Sequence, residues 1–345
     1  MSVLYSHLKY LRFQDHLDAL RQKQVVAPVH VRIKPNNHCN HHCWYCAYRA
    51  DNLQLGDEMD LKDEISQQKM FEIIDDLIDM KVKAVTFSGG GEPLIYKPIA
   101  ECVERLAKGN IRVAALTNGS NLKGKVATAF AKYATWLRIS VDAWDNDSYQ
   151  ESRGVAKGSF DKLLKNIINF VKTGTDCVLG VSFIIDNKNY QHVYEACEIF
   201  KEAGASHIKL SGVVTGNSVE ENNQYHLPMK HEVSEQIERA KSLNDDAFSV
   251  VNHYHELSDR FEKNYQYCPF LQYLTIIGAD ECVYTCQDKA YTSSGLLGSI
   301  QQQSFKQFWF SEENKQQLLA LNPSEQCNHH CITHTKNLSI LEYLS

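Results

Sequence analysis

The chain has 345 residues, of which 43% are hydrophobic and 23% charged, as in an ordinary globular protein with one large domain and a small one. Its net charge of −6 excludes a general attraction to nucleic acid or anionic membranes, so a polyanionic partner would need a local basic patch. The N-terminal residues MSVLYSHLKYLRFQDH lack a continuous apolar segment, and the longest apolar run, 177–185, is too short to span a bilayer. We expect a cytoplasmic protein without nucleic-acid or membrane partners.

Short β-branched segments alternate with helical patterns from about residue 30 onwards. The predicted strands cover residues 30–35, 83–89, 112–119, 136–142, 178–185 and 207–212. Between them apolar residues recur every three or four positions, most clearly in FDKLLKNIINFV, which predicts helices. Alternating strands and helices imply a parallel sheet with right-handed crossovers. Six strands without a dinucleotide fingerprint favour an α/β fold, a partial (β/α)6 barrel.

The rest of the chain differs from this pattern. Residues 215–228 are polar and are typical of a connection, and a helical pattern follows them. From residue 267 the chain holds a hairpin-like segment, a glycine-rich stretch and an aromatic helical pattern. We therefore predict an N-terminal helical extension at 1–27, the partial barrel at 28–225, a connecting helical region at 226–265 and a small α+β domain at 266–345.

Eleven cysteines are many for such a chain. Because the cytoplasm disfavours disulfides, clustered cysteines indicate metal or redox chemistry. Three cysteines, Cys102, Cys177 and Cys197, lie singly in apolar segments, where we interpret them as small buried hydrophobes. The other eight form three groups, and two of the groups contain the same pentapeptide, CNHHC, at residues 39–43 and 327–331.

The first CNHHC belongs to a C-x3-C-x2-C motif formed by Cys39, Cys43 and Cys46, directly after the first predicted strand. Active sites of β/α barrels lie on loops that follow the strands. Three thiolates on one loop can hold three irons of a 4Fe–4S cubane and leave the fourth iron open. The alternative is a structural zinc site, which one of the neighbouring histidines would have to complete as fourth ligand: His38, His41 or His42.

With Tyr45 as its aromatic residue, this motif resembles the C-x3-C-x-aromatic-C hallmark of radical S-adenosylmethionine enzymes, and the resemblance covers about residues 28–215. SGGGEP, at 88–93, resembles the family's GGE motif, which holds the methionine amino group of S-adenosylmethionine. It is not a dinucleotide loop, because Leu94 interrupts the G-x-G-x-x-G pattern. The resemblance implies that the following residues contact S-adenosylmethionine: Tyr45, Gly89, Gly90, Gly91, Glu92, Thr117, Asn118, Ser140, Asp142 and Arg153.

The residue types alone leave other interpretations open for part of this set. By resemblance the ends of the third and fourth strands lie near the ribose and the carboxylate, and Arg153 pairs with that carboxylate. Asn118 and Asp142 are equally consistent with turn residues, Arg153 with a solvated side chain and Tyr45 with ordinary core packing.

The resemblance also implies a chemistry. One electron, from a donor such as flavodoxin or ferredoxin, cleaves S-adenosylmethionine bound at the open iron. The resulting 5′-deoxyadenosyl radical abstracts hydrogen from a substrate C–H bond. The protein supplies position, and a closed barrel keeps the radical from solvent.

The second CNHHC lacks a third cysteine, because His334 stands where Cys46 stands in the first. Two pairs, Cys268 with Cys286 and Cys327 with Cys331, resemble the ligands of a twitch domain, the shortened SPASM domain that holds an auxiliary 4Fe–4S cluster. Cys282 leaves one ligand open; we prefer Cys286, because Asp280 and Glu281 occupy the turn just before Cys282. A four-cysteine zinc knuckle is the alternative.

Twitch-bearing relatives act on aminocyclitols and sugars, whereas full SPASM relatives often modify peptides. We expect a carbohydrate or sugar nucleotide to be oxidised, dehydrated or epimerised, because fewer than thirty residues precede the first strand and the cysteines lack a second auxiliary set. Modification of a ribosomal peptide is the alternative enzymatic function, and a non-catalytic zinc or iron–sulfur scaffold is the non-enzymatic one. In an epimerase a free Cys282 would be a candidate hydrogen donor.

Overall fold

The computed structural model of the protein describes residues 6–50, 53, 56–254 and 261–345. Parts of three predicted segments lie outside the described residues: 1–5 of the N-terminal extension, 51, 52, 54 and 55 of the barrel, and 255–260 of the connecting region. The described part of the extension is helical, with a 3-10 turn at His7–Arg12 and helix α1 at Gln14–Arg21.

A ten-stranded sheet organises the described residues. Its strands are β1 His30–Ile33, β2 Ala84–Phe87, β3 Arg112–Thr117, β4 Ala134–Ser140, β5 Val178–Ile185, β6 His207–Gly212, β7 Ser249–His253, β8 Leu274–Ile277, β9 Cys282–Tyr284 and β10 Leu296–Ser299. Strands β1 to β7 follow one another across the sheet and pair in parallel. On the other side of β1 the sheet continues with β8 in parallel and then with β9 and β10, which are antiparallel.

Helices connect these strands, as the apolar spacing predicts. They are α2 Gln67–Asp79, α3 Ile99–Lys108, α4 Gly124–Tyr133, α5 Asn146–Arg153, α6 Ser159–Val171, α7 Val193–Glu202, α8 Val219–His226, α9 Lys230–Lys241, α10 Phe305–Trp309, α11 Glu312–Ala320, α12 Pro323–Gln326 and α13 His334–Leu344. Short 3-10 turns lie at Pro93–Ile95, Tyr190–His192, Leu227–Met229, Pro269–Gln272, Gln287–Lys289 and Ser293–Gly295. Helix α6 buries Phe160, Leu163, Ile167 and Phe170 along one face, which is the pattern of a helix packed on a sheet.

The predicted fold class is confirmed: the sheet is mainly parallel, with helices between its strands and a cysteine-bearing C-terminal segment. The sequence analysis did not predict β7, which lies within the region expected to be helical. Its five residues pair in parallel with β6 at the edge of the sheet, and so short a segment gives a weak alternating pattern beside the helical pattern of α9.

The C-terminal segment and the barrel share one hydrophobic core. Phe305 and Trp309 of α10 are fully buried, and the Trp309 indole N–H donates to the Val26 carbonyl oxygen at 2.8 Å. The three single cysteines, Cys102, Cys177 and Cys197, are buried as expected. Among the described residues, no helix is both long enough and apolar enough to cross a membrane. Because β8 lies beside β1, the loop after β1 faces the C-terminal segment.

Candidate functional site

The first cysteine motif opens onto a cavity at the C-terminal ends of the parallel strands. The cavity has a volume of about 280 Å³, and Cys39, Cys43 and Cys46 all line it. The predicted contact residues that also line it are Gly89, Gly90, Gly91, Glu92, Thr117, Asn118, Ser140 and Arg153. Loops after four neighbouring strands thus bring together residues that are far apart in the sequence, as expected at this end of a β/α barrel.

The three cysteines of this cavity are free thiols and are partly buried. Burial raises the pKa of Cys39 to about 11 and also raises the pKa of Cys46. Such thiols keep their protons at neutral pH unless a positive group stabilises the thiolate. A metal centre is the partner that deprotonates a thiol outright. The donor set therefore fits a metal cluster.

The glycine-rich loop after β2 packs directly against the cysteine loop. A Cβ on Gly91 would lie 1.8 Å from the His38 carbonyl oxygen, and one on Gly90 would lie 2.0 Å from Asn37 Oδ1. The Glu92 N–H donates to the same His38 oxygen at 2.7 Å. Here glycine is required because protein groups approach closely, so the two loops form one unit.

Glu92 ties this loop to the end of β3. Its fully buried carboxylate accepts hydrogen bonds from Thr117 Oγ1 at 2.5 Å, Asn118 N at 2.7 Å and Leu94 N at 2.9 Å. Burial raises the pKa of Glu92, and these three donors act in the opposite direction. A carboxylate with three donors is a firm structural connection, and it also lines the cavity.

Arg153 is buried, with 5% of its side chain exposed, so it is not a solvated surface residue. Its Nη2 lies 2.5 Å from Asp142 Oδ2, and its Nη1 donates to Cys43 Sγ at 3.3 Å. Within the protein Arg153 pairs with the carboxylate of Asp142, and its pairing with the carboxylate of S-adenosylmethionine stays a prediction. The Tyr45 hydroxyl donates to the same Asp142 oxygen. Tyr45 and Asp142 thus hold Arg153 in position at the cavity wall.

Asn118 combines a turn role with a place in the cavity wall. Its Oδ1 accepts from the N–H of Ser120 at 2.9 Å, and its Nδ2 donates to Asn40 Oδ1 at 2.9 Å. Both interpretations that the sequence left open are therefore compatible with its position.

Four polar atoms of the residues that line the cavity have no partner among the described residues: Ser88 Oγ, Arg32 Nε, Arg49 Nε and His41 Nδ1. All four atoms are buried. Since buried polar groups are normally satisfied, these atoms indicate a ligand with acceptor groups. Three thiols and unpaired donors around an open volume fit an open-iron cluster together with S-adenosylmethionine.

The second cysteine group surrounds a much smaller space. The four thiols that were assigned to one site line a single cavity of about 20 Å³: Cys268, Cys286, Cys327 and Cys331. Burial raises the pKa of Cys268 to about 12, and the charges of Cys331 and Cys327 add to the rise. The four sulfurs are therefore close enough to interact, as ligands of one metal group would be.

Two buried lysines border the four-cysteine cavity. Lys263 and Lys289 are 6% and 5% exposed. Lys263 Nζ donates to the Phe261 carbonyl oxygen at 2.7 Å, and Lys289 Nζ donates to the Gln326 oxygen at 3.0 Å. Four thiolates carry four negative charges, and either Zn²⁺ or an oxidised 4Fe–4S core would neutralise two of them. Two lysine charges offset the remainder, so the site fits either group.

Cys282 lies apart from both cysteine cavities. It starts strand β9 and packs with Ile276, Tyr284 and Tyr291. Its thiol donates to the Asp280 carbonyl oxygen at 3.7 Å, and burial raises its pKa to about 12. The geometry therefore favours Cys286 as the fourth member of the second group. Ligand atoms of Cys286, Asp288 and His329 also lie within 4.8 Å of one another, so these three side chains form a second candidate ligand set that shares Cys286.

Residues 33–200 match the sequence model of the family described as the Radical SAM superfamily. These residues form a radical S-adenosylmethionine domain. The match contains all three cysteines of the first motif and covers 168 of the 345 residues. The radical SAM family uses S-adenosylmethionine and a 4Fe–4S cluster.

The curated proteins that are similar to this chain include a synthase and several cyclases. The Fe-coproporphyrin III synthase of Methanosarcina barkeri is 24% identical over 48% of this chain and 39% of its own length. A probable GTP 3′,8-cyclase of Halobacterium salinarum is 29% identical over 40% of this chain and 37% of its own. The chain thus spans only about two fifths of the length of these relatives.

Solved structures of radical SAM proteins have the same fold. SuiB of Streptococcus suis, bound to S-adenosylmethionine, covers 95% of this chain and 79% of its own, with a TM-score of 0.65 and 15% identity. The enzyme anSMEcpe covers 92% of this chain and 96% of its own, with a TM-score of 0.60 and 16% identity. At these identities the likeness establishes the fold.

A third cavity lies between the radical SAM domain and the C-terminal segment. It has a volume of about 340 Å³, and the ends of β6 and β7 contribute Ser211 and His253 to its wall. Tyr48 and Gln287 border both this cavity and that of the first cysteine motif. His329 borders both this cavity and the four-cysteine cavity. A space of small-molecule size therefore adjoins both cysteine groups.

A set of basic side chains inside the barrel was not predicted from the sequence. Arg32 on β1, Arg138 on β4 and Lys209 on β6 alternate with buried apolar neighbours in HVRIK, WLRIS and HIKLS. Burial lowers the pKa of Arg32, and the charge of Arg138 lowers it further. Positive side chains that lower one another's pKa inside a protein indicate an anionic ligand. The period-two alternation of a cation with apolar residues was the signal that could have found them.

Proposed function

We propose that the protein cleaves S-adenosylmethionine reductively and uses the product to abstract hydrogen from a substrate C–H bond. The observation that carries this proposal is the shared cavity of Cys39, Cys43 and Cys46 with the glycine loop and the ends of β3 and β4. When bound, the cluster and S-adenosylmethionine would supply a carbon radical, given one electron.

The chain's own residues hold this cavity in shape. Glu92 fixes Thr117 and Asn118 at the end of β3. Arg153 Nη1 donates to Cys43 Sγ at 3.3 Å and so holds that thiol in position. Ser88 Oγ and Arg32 Nε are donors for a ligand's carboxylate or hydroxyl groups. The predicted contact residues thus divide into those that line the cavity and those, Tyr45 and Asp142, that position Arg153.

For the second site we propose an auxiliary 4Fe–4S cluster held by Cys268, Cys286, Cys327 and Cys331, as in a twitch domain. Its place beside the 340 Å³ cavity favours a redox role over a purely structural one, because His329 borders both spaces. Zinc is the competing occupant, and the iron content of the protein separates the two.

The substrate that we propose is an anionic carbohydrate such as a sugar nucleotide, which undergoes oxidation, dehydration or epimerisation. A diphosphate would offset the basic side chains Arg32, Arg138 and Lys209. Of these, Arg32 lines the first cavity and Lys209 lines the third. The sugar would then lie in the 340 Å³ cavity between the two cysteine groups.

A peptide substrate is the second candidate. The 340 Å³ cavity includes the apolar and aromatic side chains of Tyr45, Phe261 and Ile332, which suit an amino-acid side chain. SuiB has been solved with its precursor peptide SuiA, and anSMEcpe with the Kp18Cys peptide. Their likeness to this chain is one of fold.

Anaerobic turnover with a panel of sugar nucleotides and peptides tests the substrate class. We expect 5′-deoxyadenosine together with a converted sugar nucleotide, and about a tenfold weaker binding of it by Arg138→Gln. Arg112→Gln, at the exposed start of β3, is the matched control. Uncoupled 5′-deoxyadenosine with every sugar, and a modified product with a peptide, would establish the second candidate. No cleavage of S-adenosylmethionine under any condition would leave the scaffold interpretation.

A further inference from the structure

A groove of about 640 Å³ opens on the outer side of the first cysteine loop. Its floor is formed by Asn40, His41 and His42, which lie between Cys39 and Cys43. One wall is the turn after β3, with Ser120 and Lys123. The facing wall is one side of α6: Ser159, Lys162, Lys165, Asn166 and Asn169.

Three exposed lysines give this groove its charge. Lys123, Lys162 and Lys165 line it, and none of them forms an ion pair within the part of the chain that the structure describes. The lining residues include no carboxylate. The groove is therefore a local basic patch on a chain whose net charge is −6, and it fits an acidic partner.

The groove lies next to the first cysteine cavity. His41 lines both spaces, and its side chain is buried, with the residue 4% exposed. The ring of Tyr149, which also lines the groove, contacts the His41 ring edge-on at a centroid distance of 5.8 Å. A partner seated in the groove would thus contact the loop that carries Cys39 and Cys43, at the His41 side chain.

We propose that this groove docks the electron donor, a small acidic protein that carries a flavin or an iron–sulfur centre. The inference rests on the proposed function, since it requires a cluster on Cys39, Cys43 and Cys46. One electron passes from the donor's centre to that cluster, so the donor is oxidised and the cluster reduced by one electron, with no bond made or broken. The polar walls suit a weak, transient interface, in which charge complementarity sets the encounter rate.

The test is a charge reversal with a matched control. Lys162→Glu with Lys165→Glu reverses the groove wall. Lys83→Glu with Arg112→Glu changes the net charge equally at exposed residues by the starts of β2 and β3, the opposite end of the barrel. Stopped-flow mixing of each protein with reduced flavodoxin gives the electron-transfer rate. At low ionic strength we expect the groove variant to be at least about tenfold slower, with a weaker salt dependence, and the control to stay within about twofold of the parent protein.

Equal rates in the groove variant and the parent would overturn the proposal, and so would equal slowing of both charge-reversal variants. Dithionite separates this result from the proposed function. With that small reductant the groove variant should form 5′-deoxyadenosine at the parent rate. If neither the parent nor the variants form 5′-deoxyadenosine with dithionite, the proposed function fails. Docking in the groove is then still tested by calorimetric titration, which measures the affinity of each protein for oxidised flavodoxin. Lys162→Gln with Lys165→Gln, a milder change, should give an intermediate rate and guards against misfolding.

Discussion

The two CNHHC pentapeptides have the same five residues but lie in different surroundings. In both, the first histidine is buried, with His41 4% and His329 9% exposed. Burial lowers the pKa of each to about 3, and a neighbouring cation, Arg153 or Lys263, lowers it further. The inward turn of this histidine is therefore a property that the two loops share.

The spaces around the two loops differ more than tenfold in volume. The first loop faces about 280 Å³ and the second about 20 Å³. The first meets the glycine loop and strand ends that leave room for a ligand, whereas the second meets Cys268 and Cys286, which close the cavity. The pentapeptide therefore supplies two thiols, and residues from other elements determine whether a metal group bound there keeps a free coordination position.

Removing the first set of thiols gives the largest expected effect. With Cys39, Cys43 and Cys46 all changed to Ala, we expect cleavage of S-adenosylmethionine to be lost completely, because the open-iron cluster has no ligands. About four irons per chain should remain at the second site. Anaerobic iron and zinc analysis measures this. Zinc without iron would instead show that the second site is a structural zinc site and would contradict the redox role proposed for it.

Cys286 and Cys282 are the two neighbouring candidates for one ligand of the second site. Cys286→Ser should remove the iron of the auxiliary site, because Cys286 lines the four-cysteine cavity. Cys282→Ser is the matched control and should keep all the iron, because Cys282 lies in a separate apolar cluster. The reverse result would show that Cys282 is the ligand. New by-products from an iron-replete Cys282→Ser would support its role as a hydrogen donor.

The buried ion pair beside the first site is expected to matter more than any surface pair. Arg153→Gln would leave Asp142, which is 1% exposed, without its cation. We expect a loss of about 4 kcal/mol in unfolding free energy, as for other broken buried pairs. Lys157→Gln breaks a nearby exposed pair with Asp147 at 3.2 Å and should lose less than about 1 kcal/mol. Urea titrations of the three proteins decide the point, and similar losses in both variants would contradict it.

The two loops of the first site meet at a glycine that has no room for a side chain. Gly91→Ala would bring a Cβ to 1.8 Å from the His38 oxygen, so the loops must separate, and we expect a loss of about 3 kcal/mol. Gly174→Ala, at φ +67 in open space, should lose about 1 kcal/mol from backbone strain alone. Thermal unfolding measures both, and a harmless Gly91→Ala would show that the loops are not one unit.

Much of the fold could be predicted because apolar residues recur along most of its elements with the spacing that is typical of a strand or a helix. The six barrel strands follow β-branched runs, and α6 buries one apolar face. The sequence also favours Cys286 over Cys282 as the ligand, since Asp280 and Glu281 mark the turn of the hairpin, and this choice stays a prediction. Strand β7 was missed because its pattern is short, and the join of β8 to β1 was missed because strand order is a long-range property.

The site was less predictable where partners come from different elements. Arg153 was expected to meet a ligand's carboxylate, yet it pairs with Asp142 across a strand end and a helix. The glycines line the cavity, and two of them also approach the His38 carbonyl oxygen and Asn37 Oδ1, which the sequence did not predict. The period-two alternation shows that the basic residues share one face of their strands, but it does not show whether that face is the interior of the barrel.

The smallest expected effect concerns the barrel interior behind the first site. His207 is 5% exposed, and its ring packs so closely on Gly180 that a Cβ there would lie 2.2 Å away. Burial lowers its pKa from 6.5 to about 4, with Arg138 adding to the shift. Below pH 6.5 the unfolded chain therefore binds a proton that the folded chain does not, so stability falls as the pH falls towards 4. From pH 8 to pH 5.5 this residue should account for a loss of about 1.4 kcal/mol. In urea titrations His207→Gln should lose that much less than the parent over the same interval, and an equal loss would mean that the His207 ring is solvated.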